Sequence, residues 1–90
     1  MAEILRANNT RQEVSPKNGA TFSLDELKVV VGGWVEAVHL DDSTLMLVNE
    51  EGRLMGLEYN QLASTVFLQY KGYYEPIVGD VLVCDINQMD

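Results

Sequence analysis

The sequence is short of several residue types, and each shortage excludes a class of protein. A single cysteine, Cys84, stands among the 90 residues, so the disulfide framework of small secreted domains is excluded. With only 2 prolines and 7 glycines, the chain is neither collagen-like nor of low complexity. The longest apolar run, around residues 29–35, is far below the roughly 18 residues that a membrane-spanning helix needs.

Basic residues are also scarce. The chain has 6 Lys and Arg against 14 Asp and Glu, which gives a net charge of −8. Direct nucleic-acid binding is therefore not expected, because little positive charge is available to displace phosphate counterions. The lone cysteine, and a start at Met1–Arg6 without the basic and apolar regions of a secretory signal, predict a cytoplasmic protein.

The remaining composition is that of a globular domain, with 47% hydrophobic and 22% charged residues. We predict a single domain over residues 1–90, with an ordered core over about residues 2–86 and a short polar tail over 87–90. A chain of this length buries roughly 60–65% of its unfolded surface, which suits one layer of helices on one sheet.

Two segments carry helix signals. Ser23 and Glu26 form an S-x-x-E capping box, and Phe22 and Leu27 supply the hydrophobic staple around it. With Gly32 as a left-handed stop, this predicts a helix over Leu24–Val31.

The second helix is predicted to begin after Asn60 and to end at Gly72. Its apolar residues are spaced as one helical stripe, made of Leu62, Val66, Phe67 and Tyr70.

The remaining apolar segments read as strands, namely Ala2–Ala7, Thr10–Val14, Trp34–Leu40, Thr44–Val48, Arg53–Met55 and Val81–Cys84. Turn residues separate the three that lie between Trp34 and Met55, so these predict an antiparallel meander. Thr44–Val48 is apolar on both sides, which predicts packing on both of its faces. The predicted fold class is α+β, with a single antiparallel or mixed sheet of five to six strands and two helices.

Residues suited to catalysis are few. His39 is predicted to be a solvated residue at a strand end, and Cys84 a small core side chain within an apolar run. Neither phosphate-loop pattern nor a calcium loop is present, and the acidic pairs Asp41–Asp42 and Glu50–Glu51 fall at opposite ends of the predicted meander. We therefore predict no catalytic residues, no bound metal and no cofactor.

Three polar or aromatic residues stand out as candidate partner or ligand contacts. Glu36 lies in the middle of a predicted strand and either faces the open side of the sheet or contacts a ligand. Tyr73 and Tyr74 cluster with Tyr70 around Gly72, where the three either cover the core edge or form an exposed contact patch, since tyrosine is frequent at interfaces.

The order of short motifs from about Glu13 to Cys84 resembles a family of small domains of unknown function found mostly in bacteria, their phages and conjugative elements. The motifs that carry this resemblance are Lys17–Gly19, Phe22–Leu27, Val31–Glu36, Leu47–Gly52, Asn60 with Ala63, and Ile77–Val83. The chain departs from the family at Glu58, where Pro is common. The resemblance implies a cytoplasmic accessory protein of mobile-element type, with no established activity. It adds Asn49, Glu51 and Asn60 to Glu36 as polar candidate contacts.

Three functions remain open. The chain is a non-enzymatic binding or interaction module, an acidic nucleic-acid mimic that blocks a DNA-binding protein, or a small carboxylate-dependent enzyme that uses Glu36. The first is favoured by the poor inventory of nucleophiles and bases. A protein partner or self-association is expected for such a module, because small sheets leave edges to cover, and no membrane association is expected.

Overall fold

A computed structural model describes residues 2–89. Five strands form one sheet: β1 (Ala2–Leu5), β2 (Arg11–Val14), β3 (Val35–His39), β4 (Thr44–Asn49) and β5 (Val81–Asp85). The helices are α1 (Leu24–Val31) and α2 (Gln61–Lys71), and a short 3₁₀ helix spans Ile86–Gln88. The strand order is β2-β1-β5-β4-β3, and every neighbouring pair is antiparallel. The predicted α+β class is confirmed.

The sheet is covered on both faces. Leu45, Leu47 and Leu82 point to the face beneath α1, where Phe22 and Leu27 join them in one buried cluster. The opposite face buries Leu5, Met46 and Val81 against Ala63 and Phe67 of α2. The prediction of packing on both faces of β4 is therefore confirmed, and the prediction of one helix layer is wrong. Because the central strands are apolar on both sides, a single layer would leave one side in water.

Helix α1 begins and ends where the sequence predicts. The Ser23 Oγ accepts from the Glu26 amide at 3.2 Å, and Gly32 ends the helix with a φ of 79°. Half of the predicted capping box is not formed, because the Glu26 carboxylate accepts from the Lys17 amide at 3.4 Å instead of reaching back to Ser23. Leu27 and Val31 are buried, whereas Leu24 is 52% exposed.

Helix α2 also has the predicted bounds, with Asn60 as its N-cap and Gly72 after its last turn. The predicted stripe is confirmed for Phe67, which is buried, and for Leu62 and Val66, which pack against the same cluster. Tyr70 is instead 47% exposed, and Ala63 and Ser64 complete the buried face. The helix is turned this way because the Ser64 hydroxyl donates to the Asn60 carbonyl and accepts from the Ile77 amide, so a polar side chain occupies the buried face.

The predicted meander is wrong in its third strand. Residues 50–56 form consecutive turns, in which the Gly52 amide donates to the Asn49 carbonyl and the Met55 amide to the Glu51 carbonyl. The place beside β4 belongs to β5, which pairs Leu82 with Leu47. A central position requires apolar side chains toward both faces. The run at residues 81–84 supplies them, whereas residues 53–55 begin with the charged Arg53.

The chain beyond β5 belongs to the fold as far as Met89, in contrast to the predicted polar tail. The Phe22 amide donates to the Gln88 carbonyl at 2.7 Å, and Met89 packs against the cluster beneath α1. This contact closes the α1 side of the sheet. Asp90, the last residue of the predicted tail, lies outside the described residues. Within residues 2–89, none of the helices has the length and hydropathy required to cross a bilayer.

Cys84 is 1% exposed, in the cluster beneath α1. Burial, reinforced by the charge of Asp85, raises the pKa of its thiol from 9.0 to about 11. We therefore expect an aromatic disulfide reagent at pH 8 to leave Cys84 unmodified in the native protein and to modify it fully in guanidinium chloride, since only the accessible thiolate reacts.

The same pKa shift predicts a loss of stability in alkali. Between pH 9 and about 11 the unfolded chain loses the Cys84 proton while the folded chain keeps it, so the free energy of unfolding falls as pH rises. Denaturation measured across this pH range checks how steeply the free energy of unfolding falls. Cys84→Ala is the control, because it lacks the contribution of the thiol. Rapid labelling of the native thiol would contradict the burial.

Candidate functional site

A cleft of about 280 Å³ opens on the α2 side of the sheet, beyond the part that the helix covers. Its apolar lining comes from Val38 of the edge strand β3 and Val48 of the neighbouring β4, together with Ile77. One wall is the turn that follows β4, and the other is the segment at residues 75–78. We call this hollow the acidic cleft.

The charge of the cleft is mostly negative. It is lined by the four carboxylates Glu36, Glu50, Glu51 and Glu75, and by a single basic residue, Arg53. Each of these side chains belongs to an exposed residue. The Arg53 guanidinium donates to the Pro76 carbonyl at 3.0 Å, so it joins the two walls. The cleft is therefore an open, acidic hollow with an apolar floor.

Asn49 builds the first wall. It is 6% exposed, its Nδ2 donates to the Val31 carbonyl at the end of α1, and its Oδ1 accepts from the Glu51 amide at 2.8 Å. A Cβ at residue 33 would stand 2.9 Å from the Asn49 Nδ2, so Gly33 makes room for this amide. Asn49 thus holds the turn that carries Glu51, and its polar atoms are occupied by these bonds.

Asn60 supports the second wall from behind. It is completely buried, with its Nδ2 donating to the carbonyls of Leu5 and Gly79 and its Oδ1 accepting from the Ala63 amide. The backbone N–H of Asn60 also donates to the Ile77 carbonyl. These bonds fix residues 77–79 against α2 and the sheet. Asn60 therefore positions the site from the interior and presents no polar atom to a partner.

All four tyrosines are exposed, by 46–56%: Tyr59, Tyr70, Tyr73 and Tyr74. The hydroxyls of Tyr59 and Tyr74 lie 2.6 Å apart, and this hydrogen bond raises the pKa of Tyr74. The Tyr73 ring meets the Phe67 ring edge-on at 5.4 Å between centroids. The two alternatives for these tyrosines, covering the core edge and forming an exposed patch, are therefore both seen. Tyr73 contacts the core residue Phe67, and both Tyr73 and Tyr74 remain exposed.

The structure brings together some of the predicted contacts and separates others. Glu36, Asn49 and Glu51 line the cleft, although Asn49 does so from within its wall. Tyr73 and Tyr74 directly precede the cleft residue Glu75 in the chain, and Asn60 lies behind the wall that contains Glu75. Sequence reasoning missed Arg53, which it placed in a strand, and Glu75. The one sequence signal for Glu75 was its place in an aromatic loop.

The lining of the cleft includes neither histidine nor cysteine. No group of three metal-ligating side chains occurs within residues 2–89. The carboxylates of the cleft are instead suited to electrostatic contact with a cationic group.

A second hollow, of about 490 Å³, lies between α1 and the segment after β2. Its lining is largely apolar and includes Val14, Phe22, Val29 and Val30. Val29 is 83% exposed at its rim. None of the predicted contact residues lines this second hollow, so the acidic cleft is the better candidate site.

Comparison with known proteins places the chain by family. Neither the curated proteins nor the solved structures include a significant match to it. The model of the family described as Domain of unknown function (DUF3846) matches residues 3–90, which is nearly the whole chain. The protein therefore belongs to this family, in agreement with the resemblance seen in its motifs.

Proposed function

We propose that the protein is a non-enzymatic binding module that holds a basic, Arg- or Lys-containing segment of a protein partner in the acidic cleft. The observation that carries this proposal is the convergence of four carboxylates around one open hollow whose single basic residue is already engaged. Opposite charges at such a surface steer encounter and fix the orientation of a partner.

The surroundings of the cleft support a peptide rather than a small ion. Its floor is apolar, and Leu54 at its edge is 87% exposed. Tyr73 and Tyr74 stand beside Glu75, where exposed tyrosine rings can stack on Arg or Lys side chains. Apolar, aromatic and acidic contacts together suit the mixed chemistry of a basic polypeptide segment.

The non-enzymatic part of the proposal is supported by what surrounds Glu36. This carboxylate is exposed on the open part of the sheet face, and no histidine, cysteine or lysine joins it in the cleft lining. General acid–base catalysis needs a second positioned group near the first. The cytoplasmic, mobile-element setting implied by the resemblance is part of the same proposal.

The cleft can be tested with the peptide Arg-Thr-Arg-Thr-Arg-Thr-Arg-amide, labelled with fluorescein on its N-terminal amine, as probe. We expect Glu36→Gln, Glu51→Gln and Glu75→Gln combined to weaken its binding by about tenfold, because each exposed ion pair contributes roughly 0.2–1 kcal/mol. Fluorescence anisotropy measures the dissociation constant, and binding of the unmodified protein should weaken as salt rises.

The matched control neutralises three exposed carboxylates that do not line the cleft. Glu13→Gln, Asp42→Asn and Glu58→Gln make the same change in net charge and should alter binding by less than about threefold, by the same screening argument. Equal losses in the two triple variants would show that diffuse charge attracts the probe and would overturn the cleft proposal. No binding to the unmodified protein would overturn it as well.

A further inference from the structure

The outer edge of β3 is open. β3 pairs with β4 alone, so it is the last strand on its side of the sheet. The Glu50 amide donates to the Trp34 carbonyl, and the Leu40 amide donates to the Thr44 carbonyl. Hydrogen-bonded pairs alternate along an antiparallel ladder. The backbone groups of Glu36 and Val38 therefore face β4, and those of Val35, Ala37 and His39 face outward.

Most of the outward groups have no hydrogen-bond partner among the residues that the structure describes. Lys71 Nζ donates to the His39 carbonyl at 3.1 Å, which closes one end of the edge. Within residues 2–89, no hydrogen bond to the outward N–H and C=O groups of Val35 and Ala37 is present. A row of unpaired backbone groups is a template for another strand.

The opposite edge of the sheet is less suited to accept a strand. β2 has the polar sequence Arg11-Gln12-Glu13-Val14, and its Arg11 is held in an ion pair with Glu3 at 2.9 Å. Charged edge residues are a common protection against strand addition. In β3, by contrast, the residues facing the α1 side are Val35 and Ala37, with the exposed Trp34 just before them.

We propose that the partner segment binds as an added strand along the outer edge of β3, which rests on the proposed function of the acidic cleft. Glu36 and Val38 line that cleft, so side chains on one face of the added strand reach its carboxylates. Side chains on the other face lie beside Val35 and Ala37. The partner is therefore a segment in which basic residues alternate with small or apolar ones, because strand side chains alternate between faces.

Charge complementarity selects this occupant over a second copy of the chain. A second β3 would bring another Glu36 to the same edge, and each chain carries a net charge of −8. A basic segment instead places cations against Glu36 and the carboxylates of the cleft. Self-association through this edge is the outcome that the experiment must separate from binding of a basic strand.

The experiment uses N-methylated versions of the same Arg-Thr peptide. One version is methylated at its three threonines and the other at three of its arginines, so charge and side chains are unchanged. In an extended strand only one of these sets points its N–H groups toward β3. We expect one version to lose at least about tenfold in affinity and the other to stay within about threefold, given the usual contribution of each hydrogen bond.

Equal binding of both methylated peptides would overturn strand addition and leave the cleft proposal intact, since the parent peptide still binds. Equal loss in both would also overturn it, because a strand has one hydrogen-bonding side. If the parent peptide does not bind at all, the proposed function itself is overturned.

A substitution in the protein gives a second readout. Ala37→Pro removes an outward N–H. It should weaken binding of the parent peptide by about fivefold or more, since proline is tolerated on an edge strand but cannot donate a hydrogen bond. Glu13→Pro makes the corresponding change on β2 and should leave binding within about twofold on the same principle. Circular dichroism verifies the fold of both variants, and light scattering that shows a dimer abolished by Ala37→Pro would instead assign the edge to a second copy.

Discussion

Asn60→Ala is expected to lower the free energy of unfolding by about 3–5 kcal/mol, because it leaves buried backbone groups without partners. The native amide donates to the carbonyls of Leu5 and Gly79 at 2.9 and 2.8 Å, and its oxygen caps α2 through the Ala63 amide. Loss of an N-cap alone costs about 1 kcal/mol, the unsatisfied Gly79 carbonyl adds about 1–3 kcal/mol, and the lost bond to Leu5, which is also paired with Val81 in the sheet, adds about 1 kcal/mol. Urea denaturation followed by circular dichroism measures the change.

Two control variants separate the roles of this side chain. Asn60→Ser keeps an oxygen that can cap α2 and removes both amide donors, so it should recover only about 1 kcal/mol of the loss. Asn18→Ala removes an amide whose oxygen accepts from Ala20 and Thr21 in an exposed loop, and should cost less than about 1.5 kcal/mol. Full recovery in Asn60→Ser would show that capping alone explains the effect, in contradiction to the buried bonds.

Destabilisation at Asn60 should also reach the acidic cleft. The Asn60 side chain holds the Gly79 carbonyl, next to the segment that carries one wall of the cleft, and Asn60→Ala loses this bond while the bond from the Asn60 backbone N–H to Ile77 remains. A chain in which this segment is released has no fixed distance between Glu75 and the carboxylates of the opposite wall. The candidate site therefore depends on a residue that cannot touch the partner.

The helices could be predicted from sequence because their signals are local. Ser23 and Gly32 bound α1, and Asn60 and Gly72 bound α2, each through a bond within one or two turns of the helix end. The choice of buried face on α2 is different, since it depends on the bond from Ser64 to Ile77, which is 13 residues away. Helical periodicity predicts the buried face from the spacing of apolar residues, so it gives no reason to bury a serine.

The place of β5 in the sheet and the make-up of the site escaped prediction for the same reason. β5 lies between β1 and β4, so its partners come from the start and the middle of the chain. The acidic cleft likewise joins Glu36, Glu51 and Glu75, which are separated by 15 and 24 residues in sequence. Glu36 and Glu51 were identified as polar residues within motifs. Glu75 carried no such signal, because its place in the site is set by the fold alone.

Phe67→Ala should be comparably damaging, with a loss of about 3–5 kcal/mol from the free energy of unfolding. Phe67 is 2% exposed and fills the space between α2 and the sheet beside Leu5, Met46 and Val81. Its removal loses the transfer free energy of the ring and leaves a cavity that the pinned helix cannot close. The edge-on contact with Tyr73 is lost as well, which adds about 0.5–1.5 kcal/mol.

Leu68→Ala provides the matched control for this cavity. It truncates the next residue of the same helix, but Leu68 is 41% exposed, so the cost should be below about 1 kcal/mol. Urea denaturation of the two variants at one temperature compares them directly. Since a domain of this kind is stable by about 5–15 kcal/mol, Phe67→Ala should retain a measurable folded baseline at low temperature. Similar costs for the two variants would mean that α2 does not present Phe67 to the core.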